Sequence, residues 1–261
     1  MSHSVPLTAA APTIRAAEPA RVPGVRRRVA LAAAGLVAAG LPLSWTISSI
    51  GLLVTGTEAD HRFHQLTGQG VALGLLWLTG LGGTLVAAFR GRTAPDAALA
   101  WLGFLVAGVI AGVLAPSQAL IVPALLVPAA LVWWALPARP RLRGRGTGID
   151  PVLTPLALLA TGPLIVYALH QAALQRTSTN EHAKMSHYFD MSWLSIAIVI
   201  VALLAAFRAG SRLVAGVVAM AMALLGTAGL AFDTSHSPAW WAVLLATAAV
   251  FGLRAVFTRQ G

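Results

Sequence analysis

Read as apolar and polar positions, the chain alternates long greasy runs with short polar breaks. After a polar stretch to residue 28, apolar runs cover about 29–54, 66–89, 97–114, 118–136, 152–174, 191–207, 213–232 and 238–256. Several reach the roughly 18–20 uninterrupted residues that a helix needs to cross a bilayer. The pattern predicts an all-α integral membrane protein of about eight transmembrane helices. The third and fourth runs are short and joined only by Ala115-Pro116-Ser117, so six spans plus a short re-entrant hairpin over 97–136 is the alternative. Pro42, Pro123, Pro128, Pro155 and Pro163 fall inside spans, where neighbouring helices satisfy the freed carbonyls and kinks are expected. Gly70 with Gly74, and Gly108 with Gly112, have a spacing that suits close helix packing, though such pairs recur often in an Ala/Gly-rich chain.

Composition agrees with the pattern. Of 261 residues, 57% are hydrophobic and only 10% charged, against about 25% charged in a soluble domain. Residues 1–28 are Ala/Pro-rich and polar, and are expected to form a disordered cytoplasmic tail. Arg26-Arg27-Arg28 before an apolar run resembles the start of a signal peptide. The run is too long for a signal's apolar region, so it reads as an uncleaved first span.

The distribution of charge sets the orientation. With the N-terminus in the cytoplasm, fifteen of the eighteen basic residues fall on one face: Arg15, Arg21, Arg26, Arg27, Arg28, Arg90, Arg92, Arg139, Arg141, Arg143, Arg145, Arg208, Arg212, Arg254 and Arg259. The opposite face receives Arg62, Arg176 and Lys184. Basic residues accumulate on cytoplasmic loops, which puts both termini inside a bacterial cytoplasmic membrane. The net charge of +10 is therefore topological, and no nucleic-acid partner is implied. Residues 137–150, rich in Arg and Gly, read as a cytoplasmic linker between two four-helix halves, 29–136 and 151–257. Its arginines, like the other cytoplasmic clusters, suit contact with anionic lipids, each contributing on the order of 1 kcal/mol.

The chemistry-bearing residues gather on the other face. His61, His64, His170, His182, His187 and His236 all map there, with Glu58, Asp60, Glu181, Asp190 and Asp233. They lie in three outer elements: 55–70, the end of the fifth span with TNEHAKMSHYFDMSW (179–193), and FDTSHSPAWW (232–241). Imidazole with carboxylate is the ligand set of divalent zinc, copper, nickel or iron. With no cysteine in the chain, thiolate sites and disulfides are excluded.

His64, His170 and His187 are the leading ligand candidates, for a metal or as axial ligands of a haem. His61, His182, Asp190 and Glu58 follow as metal ligands, and Glu181 or Asp190 is the candidate general base of a metal-dependent membrane hydrolase. On one ideal helix His182 and His187 would point about 140° apart, so their convergence requires a break between them. A pH-sensing histidine cluster and a non-enzymatic scaffold or complex subunit that docks a partner protein on its outer loops are the competing readings. Coupled transport is disfavoured, because no ionisable residue falls at mid-span. A serine nucleophile lacks the G-x-S-x-G turn. Trp45, Trp193, Trp240 and Trp241 near outer span ends read as an interfacial aromatic belt.

Overall fold

The computed structural model describes residues 23–56, 59–68, 70–118, 120–140, 148–208, 210–233 and 236–257. The tail to residue 22, most of the Arg/Gly linker and the last four residues lie outside them. Among the described residues, ten α-helices follow in order: α1 Val25–Thr55, α2 Ala59–Leu66, α3 Val71–Phe89, α4 Pro95–Leu114, α5 Ile121–Ala135, α6 Leu153–Thr177, α7 Glu181–Lys184, α8 His187–Phe207, α9 Arg212–Phe232 and α10 Pro238–Phe257. No strand occurs among the described residues. Among the described residues, seven helical segments are long and apolar enough to cross a membrane: α1, α3 with the turn of α2 leading into it, α4, α6, α8, α9 and α10. α5, the expected fourth span, has 15 residues. It rises about 22 Å, short of a hydrocarbon core of about 30 Å.

α8 is the axis of the bundle. Its apolar window is 83% buried inside the protein, whereas those of α1 and α10 are 28% buried. α4, α6 and α9 pack around it, and α10 packs on α9, α1 on α3 and α5. Small residues set these distances. A Cβ on Gly80 would lie 2.8 Å from the backbone nitrogen of Trp101, so α3 and α4 touch backbone to backbone there. Gly108 faces the Trp193 ring and Gly112 faces Val122; that glycine pair is a packing device. Trp193, expected in the aromatic belt, is instead fully buried. Its indole donates to the Phe104 carbonyl at 3.0 Å.

Polar contacts sort the two ends of the bundle. α1 begins at Val25, four residues before the predicted start, so Arg26, Arg27 and Arg28 sit in its first turn, where the helix dipole disfavours cations. Arg27 offsets this by donating to the carbonyls of Ala135 (3.3 Å) and Leu136 (2.5 Å) at the C-terminus of α5. α5 therefore runs from the C-terminal end of α4 to the level where α1 begins. At the same end Arg208 pairs with Asp96 at 2.5 Å and Arg212 donates to Val256.

Asp150 ties three helices together there. Its Oδ1 accepts from the amides of Val152 (2.9 Å) and Leu153 (3.0 Å) at the head of α6. Its amide donates to Ala206 of α8 at 2.8 Å, and its Oδ2 pairs with Arg254 of α10. Burial pushes the carboxyl up, but Arg254 and the two amides outweigh it, so the group titrates below its ordinary value. A folded-state value below the unfolded one means full stabilisation above the ordinary carboxylate range, lost as pH falls through the folded value. Asp150→Asn is expected to lower stability by about 1–2 kcal/mol at neutral pH, the low end for a charged pair because Arg254 is 40% exposed. Thermal melting should show the difference from wild type shrinking below about pH 4.

Candidate metal centre

At the opposite end, three short structural devices bring imidazoles together from different parts of the chain. The first is the break between α2 and α3. α2 is a separate two-turn helix rather than the start of α3. It stops where the Thr67 amide donates to the carbonyls of Phe63 and His64 and the Thr67 carbonyl accepts from the amides of Gly70 and Leu73. Gly68 then lies directly on the head of α8, where a Cβ would come within 2.8 Å of the Asp190 carbonyl carbon and the Met191 amide. Thr67 adds a hydrogen bond from its hydroxyl to the Met191 sulfur at 3.1 Å. This seating buries His64 and Gln65 and leaves His61 half-buried.

The second device is α7. Asn180 caps it, its Oδ1 accepting from the Ala183 amide at 3.0 Å while its Nδ2 donates to the Tyr188 hydroxyl at 2.9 Å. Gln175, near the end of α6, clamps both neighbours: its Nε2 donates to Ala183 at 2.8 Å and its Oε1 accepts from the Phe189 amide at 3.1 Å.

The third device is Ser186, between α7 and α8, in the left-handed region at φ 63°. That conformation strains a residue with a side chain by about 1–2 kcal/mol. It supplies the break that His182 and His187 require. α8 consequently starts at His187, four residues before the predicted span.

The result is a cluster of histidines. The Nδ1 atoms of His182 and His187 are 3.0 Å apart. The His64 ring lies 4.6 Å from that of His187 and 4.9 Å from that of His182. His61 stacks on His182 at 5.4 Å and meets His187 edge-on at 5.7 Å. One ligand nitrogen from each of His64, His182 and His187 falls within 4.8 Å of the others. On a tetrahedral zinc with bonds of about 2.05 Å, ligand nitrogens stand about 3.3 Å apart. The edges of the triangle, 4.8 Å or less, must close by at most about 1.5 Å to reach that spacing. Three neutral nitrogen donors suit zinc, copper, nickel or cobalt and are a poor set for calcium or magnesium. A haem needs its axial imidazoles on opposite faces of the macrocycle; rings this close leave no slot for one.

The remaining sequence candidates are distributed around this triangle. Asp190 is buried one turn along α8 from His187, and its Oδ1 has no hydrogen-bond partner among the described residues. Glu181 is exposed and paired with Lys184 at 2.6 Å, whose ammonium holds the carboxyl below its usual range. His170 is exposed and is not one of the three convergent histidines. Glu58 lies outside the described residues.

His170 does line a cavity of about 300 Å³ shared with His64 and His182. From α6 and the α9–α10 connection, Tyr167, Asp233 and His236 close it; from α8 comes Tyr188. Asp233 accepts from the Nδ1 of His236 at 2.7 Å, and Tyr167 and Trp240 flank that imidazole at 5.2 and 5.1 Å. Sequence reasoning placed Asp233 and His236 on this face without assigning them to the site. Their separation by three residues, carboxylate then imidazole, was the available signal.

The seating of α2 gives a direct test of this geometry. Gly68→Ala forces a methyl group against the α8 backbone, so α2 must lift and carry His64 away. Zinc affinity is expected to fall more than tenfold while helical content is unchanged, read by competition with a chromogenic chelator and by circular dichroism. Compared with protein families, curated proteins and solved structures, the chain matches no family model, no curated protein and no solved structure.

Proposed function

We propose that the protein binds one divalent transition metal of the zinc class at the extracytoplasmic end of a multi-pass bundle in a bacterial cytoplasmic membrane. His64, His182 and His187 are the ligands. The observation that carries this reading is the convergence of their nitrogens from three separate elements, each held by its own packing or hydrogen bonds. Both termini, with the arginine-bearing end, face the cytoplasm in this reading, and α5 completes an eighth, thin crossing.

Three protein ligands leave a position open, and the adjoining cavity admits a small molecule to it. When bound, the metal supplies Lewis-acid polarisation of such a ligand, the chemistry of metal-assisted hydrolysis. The chain's own groups serve that chemistry. Asp233 fixes the Nδ1–H tautomer of His236, leaving its Nε2 as a proton acceptor at the cavity wall. His61 packs over His182 and limits its rotation. Glu181, turned over to Lys184 on the surface, is replaced in the base role by His236.

Equilibrium dialysis of purified protein against zinc, followed by elemental analysis, tests the site. One equivalent retained supports it; none retained, or several weakly held equivalents, overturns it. The absence of native cysteine allows the orientation to be checked separately. A cysteine at Lys184 should react with an impermeant maleimide from outside intact cells, and one at Arg143 should not.

A further inference from the structure

We propose a second binding site, for the acyl chain and phosphate of an anionic glycerophospholipid, in the groove between α4 and α5. It rests on nothing in the metal reading and lies at the arginine-bearing end of the bundle. The groove encloses about 610 Å³ and is walled by Trp101, Leu105 and Val109 of α4 and by Leu126, Ala130 and Trp133 of α5. Its apolar walls run from Trp101 to Ile110 on one helix and from Leu126 to Trp134 on the other. At 1.5 Å per residue these are about 13 Å and 12 Å, close to one leaflet's share, about 15 Å, of the hydrocarbon core. A groove of that depth takes a lipid tail from a single leaflet.

The headgroup end carries the charge. Arg139, exposed, closes the groove where α5 has ended. Its guanidinium has no hydrogen bond or ion pair among the described residues. Among the described residues, the acids at this end are paired with other arginines, Asp96 with Arg208 and Asp150 with Arg254. Arg27 already occupies the carbonyls of Ala135 and Leu136, so the negative end of the α5 dipole is met without Arg139. A cation at headgroup depth beside an apolar slot is complementary to a lipid phosphate with net negative charge. Trp133 and Trp134 beside it suit the same interfacial level.

Native mass spectrometry of the detergent-purified protein with added phosphatidylglycerol or phosphatidylcholine of equal chain length tests this. One phosphatidylglycerol should be retained in preference to phosphatidylcholine. Arg139→Gln should weaken phosphatidylglycerol binding about fivefold and abolish the preference. Ala130→Phe, which fills the groove while leaving Arg139 in place, should remove retention of both lipids, with melting curves confirming that each variant is folded. Equal retention of the two lipids by wild type, an unchanged preference in Arg139→Gln, or full retention in Ala130→Phe would overturn the assignment.

Discussion

Zinc affinity is expected to fall by two to three orders of magnitude when His187, His182 or His64 is replaced by alanine. Structural zinc sites bind with apparent free energies of about 10–16 kcal/mol shared over four ligands, so one ligand carries roughly 3–4 kcal/mol. His187→Ala should be the most severe. His187 is 1% exposed and anchors the head of the central helix, so no water-exposed group can swing in to replace it. His236→Ala and His170→Ala should retain metal at wild-type stoichiometry, because neither belongs to the triangle. Loss of metal in His170→Ala would instead favour the ligand set suggested by the sequence. Melting each variant in excess chelator separates ligand loss from unfolding. Acid should act in the same direction: bound metal requires three neutral imidazoles, so protons compete with it and affinity drops as pH is lowered.

The largest effect on stability is expected at Trp193. Its indole is fully buried against Phe104 at 4.8 Å and Trp77 at 5.9 Å, and it fills the space that Gly108 leaves open. In a bilayer the transfer term is small, since lipid tails are as apolar as the protein interior; packing and hydrogen bonding carry the energy. Trp193→Ala creates a large void and abolishes the bond to the Phe104 carbonyl. A loss of about 3 kcal/mol is expected, whereas Trp193→Phe, which keeps most of the contact, should lose about 1 kcal/mol. Denaturant titration in mixed micelles measures both. A Trp193→Ala protein as stable as wild type would mean that α4 and α8 are not in contact as described.

The sequence made the architecture readable because length and charge act over many residues. A run such as 213–232 needs no tertiary information to be recognised as an apolar helix, and Arg208, Arg212 and Arg254 mark their end of the bundle by count alone. The gathering of histidine at the other end followed from the same bookkeeping. Local geometry was less accessible. Ser186 adopts a left-handed conformation with neither glycine nor asparagine to announce it, so the turn that unites His182 with His187 had no signature. His170 looked central because it lies just inside a helix end, yet the direction of its side chain depends on how α6 packs on α8. Trp193 was misplaced for a related reason: position along a helix was legible, and the face turned to the core was not. The Gly68 contact is between residues more than a hundred apart in sequence, and only folding reveals it.

X-ray absorption spectroscopy of the zinc-loaded, membrane-reconstituted protein bears most directly on the metal centre. Three imidazoles bound through nitrogen at about 2.0–2.1 Å, recognised by the scattering of their rings, with one non-imidazole oxygen donor completing the shell, are expected, and one imidazole contribution should disappear in His187→Ala. A shell of oxygen donors alone, or a spectrum unaltered by that substitution, would contradict the three-histidine centre.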